Sequence, residues 1–332
     1  SLAALACSPT DSQVMAPQVT DSAGVALVTV QSSSGSPREE WTVSAAPQVV
    51  LGGEESGLEL YRVTSAISLP DGRIAVANAG SGQLLVFSGD GRPLQSHGRT
   101  GEGPGEWKRP SIVGLLGQDT LVVMDSEQRR ISFVHSQNGF LTSHRIEDTL
   151  RSPATARGIF ANGTMVVGGG HSWGPSSGEG TASGYNRPLT SYQVMDLEGR
   201  FVSELGHFPG AELDITVIAL PDGETSMSAD LIPFAKLPTV AVGDELFFVG
   251  TKETWEIKGV DPNGDLRIVL RWDRGLTPVG RDHIDALIQQ EVSDLGDPSR
   301  EPEIRRKFAE IHVPETMPAF SSLLVAPSGN VW

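Results

Sequence analysis

Residues able to do chemistry are few and scattered in this chain. Gly170-His171-Ser172-Trp173-Gly174 has the Gly-x-Ser-x-Gly spacing that presents a serine nucleophile on a sharp turn, and Met165-Val166-Val167 supplies a strand-like lead-in. Such an elbow needs a helix straight after the serine. Here Pro175-Ser176-Ser177-Gly178 follows, which cannot begin one, so no hydrolase nucleophile is expected. The glycines from Gly98 to Gly105 could cradle a phosphate, but no Lys-Ser or Lys-Thr follows, and Glu102 and Glu106 would repel the anion. A tight structural turn is the better reading. The seven histidines form no His-x-His or His-Glu-x-x-His pair, so no helical zinc site is encoded. No catalytic residue and no protein-held metal are assigned.

Cys7 is the only cysteine, which excludes an intramolecular disulfide and a cysteine-based zinc site. Its surroundings, Ser1-Leu2-Ala3-Ala4-Leu5-Ala6-Cys7-Ser8, resemble the end of a bacterial lipoprotein signal, an apolar stretch closing on small residues before a cysteine that is then acylated. Residues 1–7 are read as a signal remnant with Cys7 as the lipidation site. Residues 8–37, rich in Ser, Gln, Pro, Thr and Asp, are read as a flexible tether with one potential strand at Val25–Val30. No apolar run is long enough to span a bilayer, so the membrane is met only through the anchor.

The elements that must position any site come from an internal repeat. Ile67-Ser68-Leu69-Pro70-Asp71-Gly72-Arg73-Ile74 and its following strand to Asn78 align with Gly114 to Asp125. The pattern returns at Gly158 to Val167 and at Val242 to Val249, and begins again at Ala326 to Trp332. Each copy centres on an Asp-Gly, Asn-Gly or similar pair, read as a two-residue turn of the kind tight hairpins need. A second hairpin follows at Gly91, Gly139, Gly199 and Gly264. Two hairpins per unit make a four-stranded antiparallel meander that is stable only when stacked on its neighbours, the blade of a β-propeller. The 38 glycines and 22 prolines support an all-β chain. Residues 38–332 are therefore expected to form an incomplete six-bladed propeller, with Arg38 to Ser44 and Gln48 to Leu51 as outer strand material of a last blade. The net charge of -16 argues against nucleic acid, since phosphate binding needs clustered Lys and Arg.

Gly98-Arg99-Thr100-Gly101-Glu102-Gly103-Pro104-Gly105-Glu106-Trp107 resembles the Gly-x-Gly-Pro-Gly-Glu-aromatic connector of a family of bacterial six-bladed β-propeller lipoproteins related to NHL-type and TolB-like propellers. The resemblance covers about residues 40 to 332. It implies a monomeric cell-envelope protein, periplasmic or surface-exposed, that binds a protein, peptide or carbohydrate. In lactonase-type relatives, acidic and amide groups at the channel mouth hold calcium or another divalent ion, which places Asn78 and Asp125 as candidate ligands and makes a metal-assisted hydrolase or lyase the alternative; the plainer reading of the two residues is that they hold local turns through backbone hydrogen bonds.

Connections within each hairpin are short, whereas those between hairpins and between units carry every insertion, so one face of the propeller is plain and the other elaborated. Insertions gathered on one face mark the binding face of a repeat protein. The largest holds apolar residues at helical spacing, Ile284, Leu287, Ile288 and Val292, then Ile304, Phe308 and Ile311, predicting two helices within about 280–312 that lie across the propeller as a partial lid. The expected ligand-contacting residues are Asn78, Arg99, Glu102, Glu106, Trp107, Asp125, Arg130, His171 and Trp173.

Overall fold

A glycine with positive φ closes most hairpins of the repeat. Leu69 N–H donates to Arg73 O and Gly72 N–H to Leu69 O, and the same pair of bonds recurs at Ser88–Arg92, Phe160–Thr164, Asp196–Arg200, Asp261–Asp265 and Ala326–Asn330. The loops are therefore three residues long, and only the last, such as Gly72 at φ 86, takes the left-handed conformation. The expected two-residue turn is corrected on this point: it would need positive φ at both central residues, and Asp71 does not adopt it. The observations come from a computed structural model that describes residues 17–31, 46–53, 58–147, 155–171, 183–220, 225–326 and 328–332.

An N-terminal hairpin, β1 (Gln18–Ser22) and β2 (Val25–Gln31), precedes the repeat. The first blade is β3 (Val63–Ser68), β4 (Ile74–Asn78), β5 (Gln83–Phe87) and β6 (Pro93–His97); the second is β7 (Pro110–Leu116), β8 (Thr120–Asp125), β9 (Arg130–His135) and β10 (Gly139–Arg145). The third is β11 (Ala156–Ile159), β12 (Met165–His171), β14 (Leu189–Met195) and β15 (Phe201–Pro209), with β13 (Gly184–Asn186) inserted after β12. A hairpin, β16 (Leu213–Ala219) and β17 (Thr225–Leu231), separates it from the fourth blade, β18 (Thr239–Val242), β19 (Phe247–Gly250), β20 (Glu256–Val260) and β21 (Leu266–Asp273). Helices α1 (Arg281–Leu295) and α2 (Glu301–Glu310) follow, inside the expected insertion. A bridge between Val325 and Val331 opens the next unit.

The first strands β3, β7, β11 and β18 touch one another in that order, which makes them the inner ring of a β-propeller. Blades adhere through apolar layers. Leu69, Ala75, Ala77 and Leu84 of the first meet Trp107, Ile112, Leu121 and Val123 of the second; Val122, Met124 and Ile131 meet Met165, Val167 and Met195 of the third. Phe160, Val166, Tyr192 and Val194 meet Phe247, Val249 and Val260 of the fourth. Both faces of β4 and β8 are covered, so their sequences run continuously apolar instead of alternating. One polar tie between blades one and two is Arg73, whose guanidinium donates to Asp71 of its own turn (2.6 Å) and to Asp119 and Ser136 of the next blade.

Two expectations about the N-terminal part need correction. Residues 17–31, within the segment read as a tether, form a hairpin whose β2 pairs in parallel with β21, because Val25–Val30 can join the otherwise open outer edge of that strand. Leu51, with Leu58 and Leu60, does not complete a blade by strand pairing but covers Val76, Leu85 and Phe87, the outward face of blade one. Residues 38–44 lie outside the described residues.

Candidate functional site

The connector is a self-tied loop. Glu106 accepts from Gly103 N–H (2.9 Å) and from Arg99 Nε (2.7 Å), and these bonds, the backbone one foremost, hold its carboxyl below the ordinary range. Lys108 does the same for Glu102. Arg130 donates to Glu102 O (3.2 Å) and Glu106 O, and Gln128 Nε2 to Gly101 O (2.8 Å). Trp107 is fully buried, its indole N–H on Ser132 Oγ and its ring against Gly98. Trp107 is therefore corrected from a contact residue to a core residue, because its ring is what seals blade one to blade two.

Asn78 and Asp125 are matching clamps at the ends of β4 and β8, both buried. Asn78 Oδ1 accepts from Tyr61 N–H (2.8 Å) while its amide donates to Glu59 O and Ser81 Oγ. Asp125 accepts from the N–H groups of Lys108, Arg109, Glu127 and Gln128 and from the Gln128 side chain. Each holds the incoming chain to the turn beyond its strand. As candidate channel ligands they are corrected: they serve as the turn-holding clamps of the plainer reading, since those bonds engage the oxygens an ion would need. His171 ends β12 in register with Thr190. Trp173 and Cys7 lie outside the described residues.

What the sequence did not single out lies where β11, β14 and β18 begin, all at the elaborated face. Ala156, Arg157, Thr190, Tyr192, Ala211, Leu237, Pro238, Thr239 and Val240 line a cavity of about 470 Å³ there. Arg157 Nε donates to Gly168 O (3.2 Å), and a bulge in β12 between Gly168 and His171 bends the strand beside it. Thr190 is 2% exposed, and its hydroxyl is buried without a hydrogen-bond partner among the described residues. Tyr192 lies against Phe208 and Phe247, and burial pushes its hydroxyl above the ordinary range, so it stays protonated. Two further cavities, about 470 and 710 Å³, run along the inner strands and beside the Val325–Val331 bridge; neither is lined by an unpartnered buried polar atom among the described residues.

Behind Ala211 and Leu237 sits an ionic cluster. Glu212, 5% exposed, accepts from Lys236 N–H (2.7 Å) and Tyr185 Oη (3.2 Å), with Arg187 Nη1 and Lys236 Nζ each 3.9 Å from Oε1. Arg187 also donates to Gly210 O and Thr251 O (both 3.0 Å) and to Glu253. Tyr185 packs against His312 with the rings tilted, and Phe234 meets His283 of α1 edge-on. The cluster ties the insertion of blade three, the inserted hairpin and the β19–β20 turn of blade four into one wall. Residues from four separate segments build it, so no local spacing announces it.

No family model and no curated protein sequence matches the chain. Among solved structures it is similar to an exported protein of Bacteroides fragilis at 13% identity and TM-score 0.42, over 79% of this chain and 68% of that one. It is also similar to a virginiamycin B lyase of Staphylococcus aureus at 11% identity and TM-score 0.33, over 66% and 73%, and to AztD of Citrobacter koseri at 13% and 0.30, over 64% and 62%. At these values the likenesses carry no functional argument.

Proposed function

We propose that the chain is a binding propeller, held to the cell envelope through Cys7, that receives a peptide, protein or carbohydrate ligand at the elaborated face. The observation that carries this reading is the cavity between the starts of β11, β14 and β18, at the face where β13, β16, β17, α1 and α2 all gather. Ligand sites favour such concave, partly apolar places with a few converging polar groups. The plain face offers short turns whose polar groups bond within the turn or to the next blade. The metal-assisted hydrolase alternative is not retained, because Asn78 and Asp125, its named ligands, serve as clamps.

The test is an array of di- and tripeptides and oligosaccharides screened against the protein, with hits compared in two variants. Leu237→Arg, which places a long charged side chain at the cavity rim, is expected to abolish binding, while Asp90→Ser at a plain-face turn leaves it unchanged. The reverse pattern in folded variants would assign the ligand to the other face.

A further inference from the structure

Three polar side chains converge at this cavity with hydrogen-bonding capacity that the described residues do not use. Arg157 is exposed, and of its five N–H donors only Nε has a partner, Gly168 O. The Thr190 hydroxyl is buried and unpartnered. Tyr192, 2% exposed and protonated, has no hydrogen bond from its hydroxyl to any described residue. Folding gains nothing from an orphaned buried hydroxyl, since leaving one unmade is unfavourable whereas a valine of the same shape is not. Gly210 contributes too: a Cβ there would stand 2.7 Å from Thr190 Oγ1 and 2.4 Å from Pro188 O, so a side chain would crowd the hydroxyl. The apolar lining is Ala211, Leu237, Pro238 and Val240.

We propose that this cavity binds a carboxylate carried on a small apolar body, with Arg157 taking the carboxylate by its free fork, the Thr190 and Tyr192 hydroxyls donating to the same group, and the Leu237 wall holding the apolar part. The inference rests on the elaborated face being the binding face and adds the ligand chemistry. A carboxylate fits because it only accepts, through several lone pairs, and the three side chains all can donate. A guanidinium recognises it in bidentate fashion, which a lone ammonium would not. One guanidinium balances one negative charge; a phosphate dianion would leave a surplus in a chain of net charge -16. The volume of about 470 Å³ suits one small acid or the last residue of a peptide.

The probes are N-acetyl-leucine, its neutral amide, an acetylated tripeptide ending in leucine with and without C-terminal amidation, and inorganic phosphate, each titrated calorimetrically. Both free acids are expected to bind, and their amides about tenfold or more weaker. Binding of the tripeptide acid at least as tightly as N-acetyl-leucine would identify a peptide C-terminus as the source; tighter binding of the single residue would identify a free small acid. Arg157→Gln is expected to lose about tenfold in affinity for the acids and little for the amides, and Arg157→Lys to recover it only in part. Thr190→Val is expected to weaken the acids while raising the melting temperature, which separates lost recognition from lost folding. Equal affinity for acid and amide, tighter binding of phosphate, or unchanged acid binding in folded Arg157→Gln would overturn the assignment. If amides or oligosaccharides bind and Leu237→Arg abolishes them, the face is right and the carboxylate is wrong; if acids bind undisturbed by Leu237→Arg, both fail.

Discussion

Thr190 and Asp125 show opposite uses of a buried polar group. Asp125 gathers four backbone N–H groups and a side-chain amide, so its charge serves the fold. The Thr190 hydroxyl has no partner among the described residues. Replacing Thr190 by Val is therefore expected to stabilise the protein by about 1 kcal/mol, because it removes an unmet hydroxyl at constant shape; a thermal melt checks this, and an unchanged or lower midpoint would mean that the hydroxyl is satisfied in solution. Conspicuous types drew the sequence-based assignment. Trp107, Arg130 and Glu106 are such residues, and each proves to hold the connector in place. Arg157, Thr190 and Tyr192 sit inside ordinary strand patterns, and the absence of a partner is a three-dimensional fact that no spacing encodes. His171, named for its place in an insertion-bearing strand, is paired in backbone register with Thr190.

At the scale of elements, the turns were legible and the joins between blades were not. A glycine after Asp or Asn signals a hairpin locally, whereas the Arg73–Asp119–Ser136 tie spans two units. Hydrogen bonds from Ser136 and then Arg73 hold the Asp119 carboxyl below its ordinary range. Because its pKa is lower folded than unfolded, this contribution is complete above the unfolded value and disappears as pH falls through the folded one. The melting midpoint of the wild type is thus expected to approach that of Asp119→Asn only below about pH 4; a constant difference down to lower pH would refute the tie. Glycines at φ 86 and 81 offer a second contrast. A Cβ on Gly72 meets nothing, so Gly72→Ala is expected to cost about 1–2 kcal/mol of backbone strain. On Gly98 it would lie 2.0 Å from the Trp107 ring, so Gly98→Ala must displace the residue sealing two blades and is expected to cost at least about twice as much. Denaturant unfolding of both variants makes the comparison, and equal losses would show that Trp107 can shift freely.

For the molecule as a whole, repetition made the architecture readable: the same turn and apolar runs recur, and blades that bury both faces must stack. Irregular additions escaped that reading. The β1–β2 hairpin joins β21 in parallel, and the sheet of β13, β16 and β17 draws strands from two insertions, pairings that no repeat predicts. The helices were readable, since Ile288, Val292 and Ile304 carry the helical spacing and form their own small core. Attachment to the envelope is tested by labelling cells that make the full precursor with a fatty-acid analogue. Label is expected on the wild type and not on Cys7→Ser, and equal labelling would remove the anchor. The most direct test of the binding face is a methyl-resolved NMR titration of the protein with whichever arrayed peptide, oligosaccharide or carboxylate binds. The account predicts that the methyl groups of Thr190, Leu237 and Val240 shift together while those of Leu94 and Leu141, away from the cavity, stay in place. Shifts centred instead on Leu115, Leu116 and Val242, along the other cavities, with Leu237 and Val240 unmoved, would contradict it.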